Sequence, residues 1–229
     1  MSAHRKSAIV TGVLFIVATA TALISDSLTK SILDAPDFLG RIFANQSQVL
    51  IGVLLHLVAA GTSAGIAISL YPVLRKYREG LALGSVCFRV IEAVFYLVST
   101  LGLLALVSLS QQFAEAGSPA TSDFAVLGTL LLAVRKWAGF VLGATSFCVG
   151  GLLYYVVFFQ SRLIPRWLSG WGVIGLVLLL AMLLQILFGA EAAGSTVLLA
   201  VPIAVQEMVL AVWLIVKGFN PTALAAKPA

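Results

Sequence analysis

Apolar residues run through this chain in blocks too long for the alternation of a half-buried strand or for the stripe of a surface helix. Six stretches, at about 8–25, 49–74, 81–109, 124–160, 168–188 and 195–216, read as helices. Each is long enough to cross a bilayer, because about 20 apolar residues at ~1.5 Å apiece span a ~30 Å hydrocarbon core. The pattern predicts an all-α, polytopic transmembrane bundle over 1–218 and a flexible tail over 219–229. The first stretch, with its basic start and small residues at 18–22, also has the outline of a signal peptide, but the topology requires it as a retained helix.

Polar punctuation sets the joints. Positions 25–48 read as a polar connection in which Asp34, Pro36 and Asp37 open a short helix, with Phe38, Leu39, Ile42 and Phe43 on one apolar face. It either lies in the outer interface or packs over the bundle. A loop with Gly117, Ser118 and Pro119 precedes the fourth stretch, and a turn carrying Glu191 precedes the sixth.

Composition agrees: 61% hydrophobic and 10% charged residues exclude an ordinary soluble domain. The net charge of +5 sits at the ends of apolar runs and forms no patch, which argues against nucleic acid as a partner. With the N-terminus inside, the inner segments hold Arg5, Lys6, Arg75, Lys76, Arg78, Arg162, Arg166, Lys217 and Lys227, and the outer loops hold only Lys30 and Arg41. Both termini are therefore expected in the cytoplasm.

The candidate chemistry lies inside the apolar runs. Ser85, Arg89, Glu92, Tyr96 and Ser99 fall at i, i+4, i+7, i+11 and i+14, one stripe of a helix. Charges within a span are costly and mark a functional-site hypothesis by default. Counting ~1.5 Å per residue from the inner ends places Arg89, Glu92 and Glu207 at one level, ~12 to ~16 Å deep. Arg89 can pair with Glu92 on its own helix or reach across to Glu207. One arginine between two carboxylates leaves a negative charge for a proton, a cation or another basic group. Tyr96, Gln206 and His56 complete a candidate site for a lipid, a small molecule, a proton or an ion, of the kind a transporter uses. The same residues equally suit a network that only fixes helix register, and intramembrane catalysis is a third reading. Pro202, five residues before Glu207, predicts a bend near that charge.

Two Gly-x-x-x-Gly pairs, Gly61/Gly65 and Gly139/Gly143, allow close helix approach and leave self-assembly open, as a scaffold or regulatory subunit would use it. Gly61 to Gly65 also spells Gly-x-Ser-x-Gly around Ser63, seven positions after His56. A separation of roughly 10 Å along one helix, and the absence of a strand-turn-helix elbow, argue against a hydrolase reading. Arg135, Lys136 and Trp137 lie ~36 Å from the inner end of their stretch, at the outer interface, as headgroup anchors. Cys87 and Cys148 read as buried free thiols. His56 alone of the two histidines lies in a span, no Asp does, and no phosphate loop occurs, so neither a metal nor a cofactor is called for.

Three segments carry a family likeness: Arg-Val-Ile-Glu-Ala at 89–93, Gln-Ser-Arg-Leu-Ile-Pro-Arg at 160–166, and Glu207 followed by Trp-Leu-Ile-Val-Lys-Gly at 213–218. Together they resemble the bacterial integral membrane family catalogued as domain of unknown function 4386. The resemblance implies a bundle of six to seven helices in the bacterial inner membrane, surrounded by its lipids, and implies no activity. It falls on the same Arg89, Glu92 and Glu207 that depth selects.

Overall fold

The computed structural model describes residues 3–117, 123–189 and 198–225. Ser118, Pro119, Glu191, Lys227 and the start of the sixth stretch at 195 lie outside the described residues. The elements are α1 (Ala3–Leu33), α2 (Phe38–Ala44), α3 (Gln46–Glu115), α4 (Asp123–Arg135), a π-helical segment (Lys136–Gly143), α5 (Ala144–Ser161), α6 (Arg166–Leu187), a 3-10 turn (Leu198–Ala200), α7 (Val201–Val216) and α8 (Pro221–Ala225). No strand occurs among the described residues. Among the described residues, five helical runs are long and apolar enough to cross a membrane. This is a membrane protein.

The 70 residues of α3 would measure ~105 Å if straight, more than three bilayer cores. Only Arg78, at φ −149° and ψ 85°, leaves the helical conformation. Contacts fall symmetrically about it: Gln111 Nε2 donates to Gln46 Oε1 at 3.2 Å, and Ser63 Oγ to Glu92 Oε1 at 2.6 Å. The arms 46–77 and 79–115 thus lie antiparallel as a hairpin.

Helix α1 runs eight residues past its expected end at 25, so most of the polar connection is helical. Serine and threonine extend a helix when their hydroxyls bond a backbone carbonyl. Thr29 Oγ1 donates to Ser25 O at 2.9 Å, and Ser25 Oγ crosses to Gly52 O at 2.8 Å. A Cβ at Gly52 would stand 2.5 Å from Thr29 Cγ2, so glycine is what lets α1 approach α3 there. Short α2 packs over the bundle. Leu39 and Ile42 are buried with Ile32, Val49, Leu103 and Leu106, while Phe43 stays 48% exposed, off that face.

Three further expectations change. The tail expected to be flexible from 219 is ordered as far as 225: Phe219 and Ala223 are buried, and Tyr77 OH donates to Ala223 O at 2.8 Å. Pro202 sits in the first turn of α7, where a missing N–H costs nothing, and so does not bend the helix at Glu207. Of the first glycine pair, Gly65 packs on Leu14 Cδ1 at 3.3 Å, but Gly61 has nothing within 4 Å and faces outward.

Candidate functional site

The polar stripe of α3 points into the bundle. Arg89 is 2% exposed; its Nη1 stands 3.1 Å from Glu92 Oε2, its Nε donates to Ser63 O at 3.3 Å, and its guanidinium lies 4.8 Å from the Phe147 ring centre. Pairing therefore takes the i, i+3 route on one helix. The other Glu92 oxygen accepts the Ser63 hydroxyl, so Ser63 locks the hairpin arms together through the ion pair and serves no histidine. Tyr96, one turn on, brings its phenol beside Glu92.

The helix facing this stripe makes room with glycine. A Cβ at Gly150 would meet Arg89 Cγ at 3.1 Å, one at Gly143 would meet Tyr96 Cε1 at 3.0 Å, and one at Gly139 would meet Ser99 Oγ at 2.6 Å. The second glycine pair thus does allow close approach, against polar side chains of α3. Both of its glycines lie in the π-helical segment, a wider turn that is rare and frequent at functional sites.

His56 packs edge-on against Tyr96, with ring centroids 5.2 Å apart, and its Nε2 is buried without a hydrogen bond. The expected anchoring trio separates. Lys136 and Trp137 stay exposed, 6.0 Å apart. Arg135 instead turns inward to 24% exposure, with Nη2 3.7 Å from Asp26 Oδ1, and its carbonyl accepts Ser99 Oγ at 3.1 Å.

Glu207 lies within electrostatic range of Arg89, Glu92 and Tyr154. No Arg89 nitrogen comes within ion-pair distance of it, so the pairing across helices is not made. Its Oε1 is buried with no hydrogen-bond partner, and so is the Tyr154 hydroxyl. Gln206, next to Glu207 in sequence, is committed elsewhere: it accepts from Tyr155 OH at 2.5 Å and donates to Leu168 O at 2.9 Å. Ser63, Phe147, Gly150, Tyr154 and Tyr155 are thus part of the surroundings that sequence reasoning missed. The doubled tyrosine inside an apolar run was the signal for the last two. Among the described residues no group of three His, Cys, Asp or Glu side chains is placed to hold a metal.

No curated protein and no solved structure matches the chain. The family described as Domain of unknown function (DUF4386) matches residues 10–218, which include the stripe, the glycines facing it and Glu207. The chain belongs to that family.

Proposed function

We propose that the protein crosses a bacterial inner membrane six times, with both termini in the cytoplasm, and that Arg89, Glu92 and Glu207 hold a proton or small cation at mid-membrane as the binding step of transport. The observation that carries this reading is the buried, unpartnered Oε1 of Glu207, the second of two carboxylates grouped with a single guanidinium. An uncompensated charge in hydrocarbon is costly, so the third ionisable group needs a counter-charge or a proton. The occupant is small because protein already encloses the cluster: Phe147 and Gly150 cover Arg89, and Ser63 covers Glu92. The hairpin in α3 supports six crossings, and the Lys/Arg asymmetry supports the orientation.

A second reading is a scaffold that assembles through an outward small-residue face, supported by the open space around Gly61. The two separate in liposomes loaded with a proton-sensitive dye, under an imposed potential, with labelled sodium outside. Proton or sodium entry above protein-free vesicles, returned to background by Glu207→Gln, is the expected result. Infrared spectra of the wild type should also show a protonated carboxyl signal, lost in the variant, if the occupant is a proton. Background flux in both proteins, with no change in that signal or in sodium binding, overturns the proposal.

A further inference from the structure

Where α5 turns into α6, three basic side chains surround one cavity. The connection 162–165 and the segment 217–221 are pinned together: the Asn220 N–H donates to Leu163 O at 2.8 Å, and its Nδ2 donates to Arg162 O at 3.3 Å. Arg162 at φ 57° and Gly218 at φ 74° both take left-handed bends, and the walls they set border an open cleft of about 610 Å³. Leu163, Ile164 and Phe219 are buried beside this cavity, while Arg162, Arg166 and Lys217 stand exposed around it. Neither 161–167 nor 217–221 contains an acid, and the ion pairs among the described residues lie elsewhere.

A second cleft begins where this one ends. It is an apolar groove of about 480 Å³ along α7, lined by Val205, Val209, Val212, Trp213, Val216 and Lys217. Trp213 and Lys217 line both cavities, which makes the two continuous. From Val205 to Lys217 the helix rises ~18 Å, close to the ~15 Å half-thickness of a hydrocarbon core. A soluble anion would fill the basic cavity and leave the groove unused. A lipid uses both, and a tryptophan at the junction suits the headgroup level.

We propose that the cavity and groove together bind one anionic phospholipid, with its phosphate among Arg162, Arg166 and Lys217 and one acyl chain along α7. The site is independent of the Glu207 cluster, since Glu207 lines neither cleft. Each basic residue near the membrane surface strengthens anionic lipid binding about fivefold. Native mass spectrometry of the delipidated full chain, titrated with phosphatidylglycerol, phosphatidylcholine and inorganic phosphate, reads the affinities directly. The wild type should prefer phosphatidylglycerol to phosphatidylcholine by about a hundredfold, and Arg162→Gln with Lys217→Gln should weaken phosphatidylglycerol about thirtyfold without moving phosphatidylcholine. Arg75→Gln, basic but outside both clefts, should leave the affinity unchanged. Equal binding of the two lipids, an unaffected double variant, an equal loss in Arg75→Gln, or displacement of the lipid by phosphate each overturns the proposal. Should the double variant fail to fold, Val212→Trp fills the groove from its exposed side, and unchanged phosphatidylglycerol affinity there overturns it as well.

Discussion

Replacing Arg89 by leucine separates the cost of a stranded charge from the cost of lost contacts. The change deletes the ion pair to Glu92 at 3.1 Å, the hydrogen bond to Ser63 O at 3.3 Å and the stacking over Phe147 at 4.8 Å. Polar contacts between membrane helices average ~0.6 kcal/mol, so these contacts alone account for about 1–2 kcal/mol. The Glu92 carboxylate, 2% exposed, is left with the Ser63 hydroxyl but no cation. Removing one partner of a buried pair costs ~3–5 kcal/mol, whereas exchanging both for apolar residues is often neutral. Arg89→Leu should therefore destabilise by about 3 kcal/mol or more, and Arg89→Leu with Glu92→Leu by no more than about 1 kcal/mol. Adding Glu207→Gln to the single variant should restore roughly 1 kcal/mol, because two uncompensated carboxylates then become one. The assay is reversible unfolding in mixed micelles at fixed lipid content, followed by tryptophan fluorescence. A single variant within about 1 kcal/mol of wild type, or a double variant no more stable than the single, would refute the stranded-charge account.

Four smaller tests probe the scaffold. Arg5 donates to Leu214 O at 3.1 Å and to Ile215 O at 2.6 Å, the carbonyls at the end of α7. Arg5→Ala should cost about 1–2 kcal/mol in the same unfolding assay, and no loss would show that water caps the helix equally well. A Cβ at Gly172 would stand 2.5 Å from the Tyr155 ring, so Gly172→Ala should cost ~1–3 kcal/mol, checked by the same titration. Gly61→Ala meets no neighbour and should stabilise the isolated chain by ~0.5–1 kcal/mol; a shift from dimer to monomer in light scattering would instead place a partner on that face. Against the expectation that both cysteines are buried, Cys87 is exposed on the outer face of α3 and only Cys148 is buried, so a maleimide applied to the detergent-solubilised protein should modify Cys87 well before Cys148, as peptide mass mapping would show. Equal labelling contradicts the packing of α5.

The stripe on α3 was legible because period and polarity say the same thing: a carboxylate three residues from an arginine inside an apolar run has one low-cost place to go. The hairpin was legible at Arg75, Lys76 and Arg78, a basic knot that ends one apolar run and begins another. Polar residues misled where the backbone satisfied them. Ser25 and Thr29 looked like a loop, yet each hydroxyl bonds a carbonyl and the helix continues. Pro202 looked like a kink because its helix seemed to begin several residues earlier. Arg135 looked like a lipid anchor because depth fixes height in the membrane and says nothing of which way a side chain turns. The π-helical segment has no compositional sign at all, since its hydrogen-bond register follows from what the facing helix demands.

That demand can be traced. Between Arg89 and Tyr96 the stripe advances seven positions, and the glycines opposite, Gly150 and Gly143, are also seven apart. From Tyr96 to Ser99 it advances three, while Gly143 to Gly139 is four. The antiparallel register therefore slips by one residue, and the slip falls inside Lys136–Gly143, where the helix is wound more loosely. A regular α-helix through this segment would turn Gly139 away from Ser99 and bring a larger neighbour against it. The wider turn absorbs the extra residue and keeps a glycine opposite each large polar side chain. Glycine spacing and helix winding thus act together to seat tyrosine, arginine and serine inside an apolar bundle without pushing the helices apart.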